Sequence, residues 1–114
     1  MKQPLKRGDI FDVDFSAAPG GMQDVRPAII IQNNIGNEYA PYTIIAAIHH
    51  DEKKPLPVLV GVPRGVAGLS KDSVIDCAHL ATLPKDQLRH FRGQLPGRYQ
   101  SLVDDALKIS LGLG

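Results

Sequence analysis

The sequence is poor in the residues that build disulfide-stabilised and base-stacking proteins. Its 114 residues include one cysteine, Cys77, no tryptophan and only 5% aromatic residues. Because a single cysteine cannot form an internal disulfide, we expect a cytoplasmic protein in which Cys77 behaves as a small buried hydrophobe. The scarcity of aromatic rings argues against a broad surface for stacking bases.

Charge and hydropathy exclude further classes. The net charge of +1 argues against a dedicated binder of duplex DNA, but it leaves room for an enzyme that holds a few nucleotides of single-stranded RNA. No apolar run is long enough to cross a bilayer, and the charged residues 1–7 have no apolar stretch behind them, so we expect no signal peptide. Length and composition together predict one globular domain over residues 1–114.

The residue pattern predicts a series of short strands. Phe11, Val13 and Phe15 alternate with Asp12 and Asp14, which indicates a half-buried first strand over residues 8–15. Further strands are predicted at 27–33, 43–49 and 56–62, with either a strand pair or one bent strand at 73–77 and 79–83. Breaker-rich segments between them predict loops and turns at 16–24, 34–41, 51–55 and 63–69. A helix is the competing interpretation of residues 43–49, but the β-branched residues there favour a strand.

The C-terminal part of the sequence has a helical pattern instead of a strand pattern. Residues 84–92 suit a short helix closed by Gly93, and residues 97–111 suit a longer helix ended by Gly112. The longer helix would present an apolar stripe made of Tyr99, Leu102, Val103, Ala106, Leu107 and Ile109. Short strands followed by helices predict a mainly β fold with a C-terminal helix, packed as a small SH3-like curled antiparallel barrel.

Several familiar sites are missing. There is no glycine-rich P-loop, no paired-cysteine zinc site and no helical His-Glu-x-x-His. The four histidines are His49, His50, His79 and His90. Only the first two are adjacent, and adjacent residues of a strand point to opposite faces. We therefore expect no metal site, because the ligand spacing of a strong signal is absent.

Arg26 and His49 are the candidates for chemistry. Arg26 lies at the start of a strand and is fixed by Pro27, and a guanidinium matches phosphate with two parallel hydrogen bonds. His49 closes another strand, and histidine can transfer protons near neutral pH. In an antiparallel sheet, these two positions can meet at one rim. Taken singly, each residue is as well explained as a solvent-facing strand end. Together they suit attack by a ribose 2′-hydroxyl on its own phosphate, which needs no metal.

Six segments carry a resemblance that spans nearly the whole chain in order. They are Lys6-Arg7-Gly8-Asp9-Ile10, Val13-Asp14-Phe15-Ser16, Val25-Arg26-Pro27 with its strand and Gln32-Asn33, Ile44-Ile45-Ala46-Ala47-Ile48, Asp72-Ser73-Val74-Ile75, and the ending from Val103 to Leu113. Together they resemble the MazF/PemK family of toxin endoribonucleases.

The resemblance implies a barrel of the MazF/PemK/CcdB type that forms a homodimer and has no place in a membrane. It implies sequence-specific cleavage of single-stranded RNA or mRNA without metal or cofactor, giving a 2′,3′-cyclic phosphate and a 5′-hydroxyl and so inhibiting translation and growth. A cognate MazE-like antitoxin would block the RNA groove of this toxin–antitoxin pair.

The resemblance also assigns roles to residues. Arg26 falls on the family's catalytic arginine, whereas His49 stands where relatives usually carry a threonine or serine. His49 is therefore expected either to act as the general base or to weaken activity. On a later strand His79 replaces a glutamine and Ala81 an arginine, which we interpret as a changed base preference. The residues expected to contact RNA are Ser16, Met22, Gln23, His50 and His79.

Two other functions remain open on the same fold. One is a non-catalytic, gyrase-poison-like toxin that binds a protein target, and the other is an inactive relative that only binds antitoxin. An apolar, target-inserting C-terminus would favour the poison, but Leu111-Gly112-Leu113-Gly114 is too short to distinguish them.

Overall fold

The computed structural model describes residues 4–15, 25–50 and 56–114, and these form six strands and two helices. In chain order they are β1 (Asp9–Asp14), β2 (Val25–Ile30), α1 (Asn34–Tyr39), β3 (Tyr42–His50), β4 (Leu59–Val62), β5 (Ser73–Pro84), β6 (Leu88–Gln94) and α2 (Gly97–Leu111). Short 3-10 turns lie at Val66–Gly68 and Lys85–Gln87. The predicted loop at 16–24 and the predicted turn at 51–55 lie outside the described residues.

All six strands join one curled sheet in the order β4-β5-β3-β2-β1-β6, and every pairing is antiparallel. Because β4 and β6 are the two edges and do not pair with each other, the curled sheet does not close. The fold is mainly β with a C-terminal helix, as the sequence predicts, and β3 is a strand rather than the competing helix.

Both faces of this sheet are covered by apolar side chains. The first core lies between the sheet and α2, and it includes Ile10, Ile29, Ala46, Ile48, Ile75, Cys77, Val103 and Leu107. The second core lies on the opposite face and contains Val13, Phe15, Ala28, Ile30, Ile45 and Leu83. Burial on two faces explains why the β2 and β3 sequences are almost continuously apolar instead of alternating.

The segment after β2 differs from its prediction. The strand expected over 27–33 ends at Ile30, and helix α1 occupies most of the expected turn. The Asn33 side chain accepts a hydrogen bond from the Gly36 N–H at 2.8 Å, so it caps the helix and diverts the chain. Asn37, only 2% exposed, anchors α1 by accepting from the Thr43 hydroxyl at 3.0 Å.

The predicted short helix over 84–92 is wrong. Most of that segment is the edge strand β6, which pairs with β1. Phe91 packs edge-on against Phe11 with 5.4 Å between ring centroids, and Arg92 contacts the Asp12 carboxylate at 3.1 Å. Cross-strand contacts of this kind outweigh a weak local preference for helix.

Helix α2 has the predicted bounds and is ended by Gly112 in a left-handed conformation, with φ 69°. Its buried residues are Val103, Ala106 and Leu107. The predicted stripe is too broad, because Leu102 and Ile109 are 52% and 54% exposed. Among the helices of the described ranges, none has the length and apolar character needed to span a membrane.

Candidate active site

Arg26 and His49 project from neighbouring strands onto the same face of the sheet. The β2–β3 pairing ends with Ala28 opposite Ala47, and extending that register by two residues would set Arg26 opposite His49. Ala28 and Ile45 belong to the second core, so strand alternation places Arg26 and His49 on that side as well. Arg26 is the second residue of β2 rather than its first, and its side chain is half-buried.

A bulge in β5 shapes the neighbouring part of this face. Leu80 lies opposite Ala46, yet Asp76 lies opposite the very next residue, Ala47. Residues 77–79 therefore have no partners on β3 and bend the strand, as bulges do. Of the two sequence interpretations, the single bent strand is the correct one. Within the bulge, the Ala78 N–H donates to Asp76 Oδ1 at 3.0 Å.

This bend brings two β5 side chains against His49. His49 Nε2 lies 3.4 Å from Asp76 Oδ2, and both side chains are mostly buried, with 25% and 22% exposed. The His49 and His79 rings lie with centroids 5.7 Å apart and planes tilted by 37°. Sequence reasoning missed Asp76, because its position depends on where the bulge shifts the β5 register. The sequence indicates a break or bend between residues 77 and 79, but it does not show how far the strand register shifts there.

The carboxylates of β1 lie away from this group. Val13, opposite Arg26, packs in the second core, so its neighbours Asp12 and Asp14 occupy the other face of β1. There they pair with Arg92 at 3.1 Å and with Arg89 at 3.2 Å. Arg26 and the side chains of Asp12 and Asp14 are thus on opposite faces of the sheet.

The remaining predicted RNA contacts are placed differently. His50 is exposed and lies opposite Ser73, and as the neighbour of His49 it faces the other side of the sheet. The structure therefore does not gather it with His79. Ser16, Met22 and Gln23 lie outside the described residues, so their contact with RNA stays a prediction.

Cys77 plays no part in this group. Its side chain is fully buried in the first core, on the opposite face from Asp76. Burial, and after it the nearby Asp76 carboxylate, raise the pKa of the Cys77 thiol to about 11. A thiol that stays protonated at neutral pH is a poor nucleophile, in keeping with the expected small buried hydrophobe.

Comparison with known proteins places the chain in one family. Residues 6–111 match the family described as "PemK-like, MazF-like toxin of type II toxin-antitoxin system". A curated relative, Endoribonuclease MazF of Staphylococcus saprophyticus, is 38% identical over 111 residues, covering 96% of this chain and 92% of the relative.

Solved structures share the fold at lower identity. An endoribonuclease in complex with its cognate antitoxin, from a mycobacterial species, superposes with a TM-score of 0.83 at 19% identity, covering 96% of this chain and 97% of that one. A MazE–MazF structure from Deinococcus radiodurans gives a TM-score of 0.76 at 19% identity, covering 97% and 98%.

These matches confirm the family and the fold that the sequence predicts, and they agree with the prediction of a toxin endoribonuclease. The match extends over both strands that carry Arg26 and His49. The chain belongs to the family of PemK-like, MazF-like toxins of type II toxin–antitoxin systems.

Proposed function

We propose that this toxin is a metal-independent endoribonuclease for single-stranded RNA, in which Arg26 and His49 act on the scissile phosphate and Asp76 positions His49. The observation that supports the proposal is the pairing of β2 with β3, which extended by two residues would set Arg26 opposite His49, together with the 3.4 Å approach of Asp76 Oδ2 to His49 Nε2. The endoribonuclease name of the relative that is 38% identical supports the same reaction.

In the proposed reaction, His49 is the general base. Asp76 Oδ2 lies 3.4 Å from Nε2, so the carboxylate favours the tautomer that carries its proton on Nε2. That tautomer leaves the lone pair of Nδ1 to accept the proton of the ribose 2′-hydroxyl. A carboxylate that orients a catalytic imidazole in this way has a well-understood role in hydrolases. This arrangement gives His49 a proton-accepting function that a threonine or serine hydroxyl performs poorly.

Arg26 stabilises the negative charge that develops on the non-bridging oxygens of the phosphate. The attack converts the phosphate into a pentacoordinate species with more negative charge on its non-bridging oxygens. A guanidinium remains charged at any working pH and can donate two parallel hydrogen bonds to those oxygens. Because Arg26 is half-buried on a strand, it is held in place before the substrate arrives, and such preorganisation is the main source of electrostatic catalysis.

The bonds balance without a metal or a water nucleophile. The 2′-oxygen forms a bond to phosphorus and gives its proton to His49, while the bond from phosphorus to the 5′-oxygen breaks. The 5′-oxygen takes up a proton from water and leaves as a hydroxyl, and His49 returns its acquired proton to the hydroxide that remains. The products are a 2′,3′-cyclic phosphate and a 5′-hydroxyl. The substrate supplies its own nucleophile, so the enzyme has only to align it and neutralise charge.

The same face would select the RNA sequence. His79 is exposed beside His49 and can stack on a base or contact its edge, as unpaired bases allow. Ser16, Met22 and Gln23 remain proposed RNA contacts, whereas His50, which faces the other side of the sheet, is not part of this group. Because the related structure from Deinococcus radiodurans contains MazE together with MazF, a MazE-like antitoxin is the proposed protein partner. We further propose a homodimer that acts on mRNA in the cytoplasm.

Mapping of RNA ends tests this proposal. The purified chain is incubated with a long single-stranded RNA in excess EDTA, and the new ends are sequenced and chemically typed. We expect cuts at a short recurring motif, with 5′-hydroxyl ends and cyclic phosphates. RNA left intact, together with inhibition of DNA supercoiling by gyrase, would instead establish the protein-binding toxin. Intact RNA with no effect on gyrase would indicate a chain that only binds antitoxin.

A further inference from the structure

Three side chains that can bind metal meet around His49. His49, Asp76 and His79 each offer one ligand atom, and these atoms all lie within 4.8 Å of one another. His49 lies on β3, whereas Asp76 and His79 lie on β5, which is why sequence spacing predicts no metal site. Their meeting depends on the register between β3 and β5 and on the bulge over residues 77–79.

The donor set and its spacing suit zinc. Two imidazoles and one carboxylate, with a water molecule as fourth ligand, form the donor set of open tetrahedral zinc sites. Zinc bonds of about 2.0–2.2 Å to nitrogen and oxygen put neighbouring ligand atoms about 3.3–3.5 Å apart in a tetrahedron. His49 Nε2 and Asp76 Oδ2 already lie at 3.4 Å. Magnesium and calcium prefer sites made of oxygen ligands, so this donor set disfavours them.

The surrounding structure fixes His49 and Asp76 and leaves the side chain of His79 free to adjust its position. Asp76 Oδ1 accepts from the Ala78 N–H at 3.0 Å, which orients the carboxylate with Oδ2 toward His49, and hydrogen-bonded ligands of this kind favour metal binding. His79 is exposed and lies on the bulge, where no β3 partner restrains it. A short movement of this one side chain completes the triad, and its exposure gives the ion a path of entry.

We propose that His49, Asp76 and His79 bind a zinc ion and that this ion switches the toxin off. The inhibitory part rests on the proposed function of His49. When Nε2 binds zinc, the proton of the neutral imidazole lies on Nδ1, the nitrogen that otherwise accepts the proton of the 2′-hydroxyl. The ion also takes Asp76 away from its positioning role. The general base is thus converted into a hydrogen-bond donor without any change in the fold.

Zinc binding is measured directly on the full-length chain, free of any histidine tag, by competition with a chromophoric zinc indicator. We expect saturable binding of one ion per chain. His79→Gln and Asp76→Asn should each weaken the zinc affinity at least about tenfold, since even outer-sphere changes cost that much. His90→Gln is the matched control, because His90 is an exposed histidine on β6 and should leave the affinity unchanged. Equal affinity of wild type and His79→Gln would overturn the site.

The regulatory part is tested on RNA cleavage. The ratio of rates with and without saturating zinc is measured for each protein, so a change of basal rate cancels. Wild type and His90→Gln should slow at least about tenfold and recover in EDTA, whereas His79→Gln should not slow at the same zinc concentration. Specific zinc binding with an unchanged rate would overturn the switch. A wild type that cleaves no RNA in EDTA would refute the proposed function, and the binding measurement would still decide the metal site.

Discussion

At the residue scale, the charge of Arg26 has a specific proposed role, and its substitution tests that role. Arg26→Ala removes the group proposed to neutralise the pentacoordinate phosphate, and we expect cleavage to fall by roughly 10²–10³-fold, the usual cost of losing one transition-state donor. Arg26→Lys keeps the charge but loses the planar fork, so an intermediate rate is expected. Single-turnover cleavage of a short RNA measures both.

Arg98→Ala is the control for this substitution. The Arg98 guanidinium lies over the Tyr99 ring at 4.9 Å on helix α2, and α2 packs on the first core, on the other face of the sheet from Arg26, so the variant removes one positive charge without touching the proposed site. We expect it to cleave at the wild-type rate. Full activity of Arg26→Ala, or an equal loss in Arg98→Ala, would contradict the role of Arg26.

His49 and Asp76 form the second pair of tests at this scale. His49→Ala should lower the cleavage rate by roughly 10²–10⁴-fold, the range for loss of a general base, and His49→Thr should retain more activity than His49→Ala. Asp76→Asn should lower kcat with little change in KM, because the carboxylate orients the imidazole without touching RNA. Unchanged cleavage by His49→Ala would mean that another group accepts the proton.

The candidate site could be predicted from the sequence only in part. Arg26 and His49 stand out because each occupies the end of a strongly apolar strand, and antiparallel pairing brings such ends together. Asp76 and the approach of His79 could not be predicted, since the residue opposite Ala47 is decided by a bulge of three residues. A shift of one residue would turn Asp76 to the other face of the sheet.

Elements with a strong periodic pattern were predictable. Strand β3 and helix α2 follow their sequence signals closely, because long apolar runs and a glycine stop leave few alternatives. Strand β6 was not predictable. Its sequence carries charges at helical spacing, but β1 would otherwise lie at the edge of the sheet, and pairing with that edge satisfies its backbone groups. Pairing with β1 outweighs the local preference for a helix, and no local sequence pattern shows which strands will pair.

Packing of α2 on the first core provides a test at the scale of elements. Leu107 is 8% exposed and Leu102 is 52% exposed on the same helix. Leu107→Ala should lower the free energy of unfolding by about 2–5 kcal/mol, because it leaves a cavity in the core. Leu102→Ala, the matched control, should change it by less than about 0.5 kcal/mol. Urea unfolding followed by circular dichroism measures both, and equal effects would contradict the observed orientation of α2.

The whole molecule is one sheet that carries a core on each face, with the proposed chemistry at the edge of the second core. Its net charge of +1 is consistent with a protein that binds a few phosphates rather than a long duplex. Solved toxins with about one-fifth of their residues identical keep this sheet and helix. Such similarity of shape shows that the fold itself tolerates wide change in sequence.

The central claim is that the substrate's own 2′-hydroxyl is the nucleophile, aligned by Arg26 and His49. The most direct measurement compares two short RNAs of identical sequence in EDTA, one of which carries a single 2′-deoxy nucleotide on the 5′ side of the mapped cut. The account predicts cleavage of the all-ribose strand to a 2′,3′-cyclic phosphate and no cleavage of the other strand at that bond. Cleavage of the 2′-deoxy strand at the same bond would contradict it.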